Sequence, residues 1–302
     1  MRGTSLKAGP QVYFDKISFD DLSEDLVTEY EVNQRKSMAR LKASLKRLRP
    51  YFGGVKISQI TTIKIKKYTQ DRLDDGAAKA TVNNELAALK RMLNIGAQST
   101  PPKINRAPYI PMLKLNNARQ GFFEHDEYLK LKKALPEYVK GFVTFAYKTG
   151  WRFSEISGLT WDRVDLKRGL VTLNPGETKN EAGRTIVLDT ELKEVIKRQR
   201  ELRVKTGMRF NHVFLNRYGT KKIDRFDHAW NVALKKVVIG EKLFHDLRRT
   251  AIRNMIRSGI SEGVAMKVSG HKTRSIFDRY NIVSETDLKE AAFKQEKYLN
   301  SL

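Results

Sequence analysis

Half of the chain's eight prolines fall within one short stretch, Ser99 to Gln120, at positions 101, 102, 108 and 111. Proline lacks an amide hydrogen and fixes φ, so neither a helix nor a sheet ladder continues through such a run. A chain of 302 residues interrupted there is expected to fold as two domains, over 14–98 and 121–302, with 99–120 as a proline-stiffened linker. Residues 1–13, which include Gly3, Ser5, Gly9 and Pro10 and show no periodicity, read as a disordered start.

On either side of the linker, apolar residues recur every three or four positions. Phe19, Leu22, Leu26 and Tyr30 form one stripe, opened by Ser18 as a cap with Asp20 and Asp21 in the first turn. Met38, Leu41, Leu45 and Leu48 form a second, which Pro50 is expected to end. A third helix is expected from Thr61 or Thr62 to Asp75-Gly76, and a fourth from about Thr81 to around Gly96, on Val82, Leu86, Leu89 and Leu93. The first domain is thus expected to be all-helical. In the second, helices are expected over Glu124 to Leu135 and Glu137 to Thr149. Two strand-like segments follow, Gly169 to Leu173 and Arg184 to Leu188, around a polar turn holding Lys179. Helical patterns resume at Glu191 and end in an amphipathic helix from about residue 285, with Leu288, Ala292, Leu299 and Leu302. The fold class is mainly α, with a small β-hairpin or sheet in the C-terminal domain.

Lysine and arginine number 58 against 34 acids, a formal charge of +24, and the hydrophobic content is 40%. That composition puts the charge on folded domains rather than on a disordered tail, and suits nucleic acid or an anionic membrane as partner. No apolar run approaches the roughly 20 residues that span a bilayer, so a soluble cytoplasmic protein, nucleoid-associated when bound, is expected. The second helix concentrates the charge. Arg35, Lys36, Arg40, Lys42, Lys46, Arg47 and Arg49 occur there with no acid among them and are candidate DNA-binding residues. Two domains held at a restricted separation would suit a clamp around a duplex. The absence of cysteine excludes disulfides and thiolate metal sites.

The C-terminal half carries residues suited to breaking a phosphodiester with a protein nucleophile. Such chemistry needs the phosphate neutralised, attacked in line, and its 5′ oxygen protonated on leaving. Arg152 and Arg248 offer planar forks that donate two hydrogen bonds to non-bridging oxygens. His245 and His271 titrate near neutrality and suit acid–base work; His245 and Arg248, three apart, share a helix face. Lys179, at a hairpin tip, can be laid into a groove to protonate the leaving oxygen, with Lys167, Lys221 and Lys222 as competitors. Tyr280 is the candidate nucleophile. Attack by its phenol would conserve the bond energy in a 3′ phosphotyrosyl link, so that strands are rejoined without ATP, and the cations would make a metal or other cofactor dispensable.

These residues lie in three segments: Thr-Gly-Trp-Arg-Phe-Ser-Glu-Ile (Thr149 to Ile156), His-Asp-Leu-Arg-Arg-Thr (His245 to Thr250), and Ser-Gly-His-Lys-Thr (Ser269 to Thr273) followed by Phe-Asp-Arg-Tyr ending at Tyr280. In that order they resemble the tyrosine site-specific recombinases, or phage integrase family, over nearly the whole chain from Phe14. The resemblance implies that Arg152, Lys179, His245, Arg248 and His271 surround the scissile phosphate, that Tyr280 attacks it, and that Glu155 is a supporting acid. It also implies a C-shaped two-domain clamp on double-stranded DNA at attachment or crossover sites. Recombination would proceed through a homotetramer and a Holliday junction, with accessory DNA-bending or directionality proteins as further partners, in a bacterial host or prophage. The terminal helix is expected to dock on a neighbouring protomer. Many such integrases carry an extra N-terminal arm-binding domain, whereas here about a dozen residues precede the first helix; a simple recombinase and a truncated form both fit. Three alternatives share the chemistry or the fold: a Xer-like resolvase, a type IB topoisomerase-like enzyme, and a catalytically inactive DNA-binding regulator.

Overall fold

The computed structural model describes residues 16–115, 121–174, 183–207, 210–278, 280 and 285–301; the start at 1–13 lies outside them. The chain divides into two compact units, Met1–Asn117 and Ala118–Leu302. Its fold is mainly helical with one small antiparallel sheet. No helix among the described residues is long and apolar enough to cross a membrane.

The first unit holds α1 (Phe19–Val32), α2 (Met38–Phe52), α3 (Thr62–Asp74) and α4 (Lys79–Gln98). Ser18 caps α1 in a reciprocal box: its backbone N–H donates to Asp21 at 2.8 Å and its Oγ accepts from the Asp21 amide at 3.3 Å. The leucine stripes meet in one core, where Leu22, Leu26, Leu48, Leu86, Leu89 and Leu93 are fully buried. Arg72 and Tyr68 of α3 both donate to Glu85 of α4, at 3.1 and 2.6 Å, so a buried charge pair is closed inside the bundle.

Four expectations change here. Pro50 lies inside α2, which continues to Phe52; the buried Phe52 ring packs on Phe19 and Tyr68, with centroids 6.1 and 5.5 Å apart, and holds the last turn. Gly96 lies within α4, where the helix surface packs directly on the Leu22 side chain. Much of the stretch 99–120 packs onto the first unit. Ile104 and Ile110 are buried in its core, Lys103 pairs with Asp25 at 2.6 Å, and Asn83 exchanges hydrogen bonds with the Leu113 backbone. Finally, the basic residues from 35 to 49 are not all without counter-charge: Arg35, which precedes α2, pairs with Glu29 at 2.7 Å and Arg49 of α2 with Asp20 at 3.3 Å, both acids from α1. Lys36, Arg40, Lys42, Lys46 and Arg47 are exposed.

The second unit holds α5 (His125–Ala134), α6 (Glu137–Thr149), α7 (Phe153–Ser157), β1 (Val164–Asp165), β2 (Leu170–Leu173), β3 (Arg184–Val187), α8 (Thr190–Thr206), α9 (Asp227–Val237), α10 (Asp246–Arg257), α11 (Glu262–Ser269), α12 (Arg274–Phe277) and α13 (Glu285–Leu299). Helix α6 is its axis. Val139, Phe142, Val143 and Phe145 are fully buried, and Phe142 collects the rings of Phe153, Phe214, Phe226 and Phe244 within 5.0–5.6 Å. The expected hairpin gains a third, short strand: the order is β1-β2-β3, antiparallel, with Leu170 opposite Val187 and Leu173 opposite Arg184. On α13, Leu288, Phe293, Tyr298 and Leu299 are all exposed.

Candidate active site

Helix α6 ends at Gly150, whose φ of 66° is open to glycine and strained for other residues. That turn aims the Gly150 carbonyl at α10, where Arg248 Nη1 donates to it at 2.5 Å. Two residues on, Arg152 opens α7, and Glu155 at the third helical position folds back to accept from the Arg152 backbone N–H and from its Nη1, both at 2.8 Å. Glu155 is 2% exposed. Burial alone would raise its pKa; the Arg184 charge, then Arg152, outweigh this and hold the carboxyl below its usual value.

Helix α10 presents His245 at its N-cap and Arg248 one turn in. Arg248 is 2% exposed, and burial, then the charge of Arg152, lower its pKa. Its Nη2 lies 2.9 Å from His271 Nε2, and His271 Nδ1 lies 2.9 Å from Ser269 Oγ. His271 reaches this place because α11 closes on Gly270, φ 72°, with the amides of Gly270 and His271 both donating to the Met266 carbonyl. Burial, then Arg248, Arg152 and Arg184, push the His271 pKa down to about 3. The ring is therefore neutral at pH 7, the form able to accept from a guanidinium.

Tyr280 follows α12, whose fully buried Phe277 anchors the segment in a small core with Ala251, Ile252, Met255 and Ala265. The Tyr280 amide donates to the Phe277 carbonyl at 2.8 Å. Its Oη lies 3.0 Å from His245 Nε2, its ring centroid 4.8 Å from that of His271, and the Arg248 and Arg249 guanidiniums sit 5.7 and 5.4 Å from the ring centre. Desolvation among these side chains, then Arg248 and Arg249, lower the His245 pKa. A neutral imidazole in contact with a phenol can take its proton.

Thus Arg152, Glu155, His245, Arg248, His271 and Tyr280 form one connected set, while Lys179 lies outside the described residues. Sequence reasoning missed Arg184, which donates to Glu155 Oε2 and to the Ser269 carbonyl. A signal was present: strand alternation places Arg184 on the same face as the buried Ile186 and Leu188. Arg249, which pairs with Asp246 at 2.8 Å beside the Tyr280 ring, was also missed. Three guanidiniums, of Arg152, Arg184 and Arg248, gather around one buried carboxylate. The excess positive charge, part of it desolvated, makes the cleft complementary to an anion with several acceptor oxygens.

The neutrality of His271 has a measurable consequence. Between about pH 3 and its unfolded value of 6.5, the unfolded chain binds a proton that the folded chain does not. This group therefore removes stability as pH falls below 6.5. In the DNA-free protein, the His271 ring signals in NMR are expected to stay constant from pH 8 to pH 5. A titration midpoint near 6.5 would contradict the buried, neutral assignment.

The chain resembles known proteins over most of its length. Residues 121–286, more than half of the chain, match the phage integrase family. The integrase of Salmonella phage P22 is 28% identical over 228 residues, covering 72% of this chain and 57% of that protein. The chain thus spans little more than half the length of that relative. The tyrosine recombinase XerC of Thermodesulfovibrio yellowstonii is 27% identical over 252 residues, covering 79% of this chain and 82% of that protein. Among solved structures, the Tn1549 transposon integrase in complex with a circular intermediate DNA superposes with a TM-score of 0.73 at 16% identity, over 91% of this chain and 99% of that one. A lambda integrase dimer bound to a COC′ core site gives 0.71 at 16% identity, over 86% and 97%. At such identity these two likenesses speak for the fold, and the family match speaks for descent. The chain belongs to the phage integrase family.

Proposed function

We propose that this protein is a site-specific DNA recombinase that integrates or excises a mobile element through a 3′-phosphotyrosyl intermediate. The observation that carries the reading is the Tyr280 phenol, 3.0 Å from a histidine nitrogen and beside the buried Arg248 cation. In the proposed reaction Tyr280 Oη attacks phosphorus, the Oη–P bond forms and the P–O5′ bond breaks. His245 takes the phenolic proton, and Lys179 delivers a proton to the leaving 5′ oxygen. Arg152 and Arg248 hold the non-bridging oxygens as charge builds on them, and His271 lines the phosphate beside them and fixes the Arg248 fork. Glu155 holds Arg152. Attack by the freed 5′ hydroxyl of a partner strand reverses the step with the bond energy conserved.

The substrate class is double-stranded DNA at attachment or crossover sites. The exposed Lys36, Arg40, Lys42, Lys46 and Arg47 are the favoured phosphate contacts of the first unit, ahead of Arg35 and Arg49, which are engaged by α1 carboxylates. A lambda integrase tetramer bound to a Holliday junction has the same fold, with a TM-score of 0.70, and supports assembly of this chain as a tetramer on DNA. The exposed apolar residues of α13 would then pack on a neighbouring protomer. A resolvase role is the second reading, favoured by the likeness to a XerC over most of that protein's length.

The test is a nicked suicide duplex carrying the attachment sequence, taken from the DNA that flanks the gene. The wild-type chain is expected to form a covalent complex stable on a denaturing gel, and Tyr280→Phe none. An adduct that persists in Tyr280→Phe would move the nucleophile to another residue. A wild type that binds the duplex without any adduct would favour the regulator.

A further inference from the structure

We infer that Arg184, a residue outside the expected catalytic set, is a positioning residue that ties the two walls of the anion cleft together. The inference rests on the recombinase reading above.

Arg184 opens β3, and its side chain is 7% exposed, too enclosed to be a docking cation for a duplex. From there its fork reaches both sides of the site. Nη2 donates to Glu155 Oε2, and Nη1 donates to the Ser269 carbonyl at 3.2 Å. The guanidinium also lies 4.7 Å from the centre of the Trp151 ring, and Trp151 Nε1 in turn donates to the Val268 carbonyl at 3.0 Å. One wall is the Gly150–Glu155 turn that presents Arg152; the other is the end of α11 that presents His271, and through it meets Arg248. Gly270 belongs to the same arrangement. A Cβ there would overlap the Arg184 guanidinium, so the glycine between Ser269 and His271 is required by the arginine as well as by its own φ.

The chemistry singles out arginine. Burying a cation beside Arg152 is costly, and although Glu155 matches its charge, apolar residues in place of the whole Arg184–Glu155 pair would serve stability alone at least as well. A lysine cannot donate in two fixed directions while stacking on an indole. What Arg184 adds is control of Glu155. By occupying Oε2 it leaves Arg152 bound through Nη1 to Oε1, with the rest of the Arg152 fork available to a phosphate. Without Arg184, Glu155 is left to Arg152 alone, and a bidentate pair would draw that fork away from the substrate. The Ser269 carbonyl would lose its donor, and the turn that sets His271 would loosen.

Because this role is exercised through phosphate-charge neutralisation, it separates from mere structural support. Arg184→Gln and Arg184→Lys would be compared with wild type on the suicide duplex, carrying either a phosphodiester or an uncharged methylphosphonate at the scissile position. Arg184→Gln is expected to bind the duplex as wild type does but to cleave the phosphodiester about 100-fold more slowly, as displaced catalytic groups do. Relative to wild type on the same substrate, most of that deficit should vanish on the methylphosphonate, which needs no charge neutralised. Arg184→Lys should fall between. Equal deficits on the two substrates would mark a structural role and overturn the inference, as would wild-type cleavage by Arg184→Gln. If Arg184→Gln does not fold, the same two-substrate ratio measured on Arg184→Lys decides in the same way. A wild type that cleaves neither duplex would overturn the functional reading and this inference together, whereas an active wild type with an equally active variant would overturn the inference alone.

Discussion

Replacing Arg248 with methionine is expected to slow strand cleavage by about 10³-fold or more while leaving the thermal midpoint little changed. The two halves of that expectation have one origin. Arg248 is a cation 2% exposed whose pKa burial and Arg152 lower, so the folded protein bears a cost for keeping it charged. Methionine fills a similar volume without that cost, which offsets the loss of the hydrogen bonds to the Gly150 carbonyl and to His271. A phosphate with developing charge, by contrast, has no substitute for the guanidinium. Single-turnover cleavage of the suicide duplex and a melting curve measure both halves. Cleavage retained within tenfold would remove Arg248 from the phosphate site. A large drop in melting temperature would show that the cation stabilises the fold rather than the reaction.

Glu155 is expected to behave in the opposite way. It is the buried carboxylate that Arg152 and Arg184 share, and Glu155→Ala leaves both cations without it. A loss of about 3–5 kcal/mol in unfolding free energy is expected, the size found when one partner of a buried pair is removed. Glu155→Gln, which keeps an acceptor oxygen, should lose less. Because the folded-state pKa lies below the ordinary glutamate value of 4.5, this carboxylate's contribution is fully present above that value. It is lost as pH falls from there through the folded pKa. Denaturant unfolding from pH 7 to pH 3 should therefore show a steeper acid loss for wild type than for Glu155→Gln. Parallel pH dependences would exclude Glu155 as the charged centre of the cluster.

Local signals carried much of the fold. The Ser18 cap, the leucine stripes of the first unit and the alternation of β3 each depend on neighbours within a turn or two of the chain, and such neighbours are visible in sequence. What was not visible depends on partners far along the chain. Pro50 sits inside α2 because Phe52 is wanted by Phe19 and Tyr68, and Gly96 lies inside α4 because Leu22 packs against it. Arg35 and Arg49 read as cations without counter-charge because the acids that pair with them, Glu29 and Asp20, belong to the preceding helix. Ile104 and Ile110 sit among prolines that read as linker, yet their side chains fill the first unit's core.

The cleft shows the same division. The residues at 152, 245, 248, 271 and 280 point to phosphate chemistry by their order and spacing as a set, and the contacts among them follow from short motifs at helix ends: the Gly150 turn, the α10 N-cap and the Gly270 turn. Arg184 carries no such motif. Its importance comes from three segments meeting at its guanidinium, a convergence that appears only when the chain is folded. Strand alternation gave a hint that a cation faced inward, but not what it faced.

The covalent bond itself is the most direct measurement. The gel-isolated adduct from wild type and the suicide duplex would be digested with protease and nuclease and sequenced by mass spectrometry. The reading predicts a nucleotide attached through its 3′ phosphate to the Tyr280 phenol, with a free 5′ hydroxyl on the released strand. A nucleotide on any other residue, a 5′-phosphate linkage, or cleaved strands with no attached protein would contradict it.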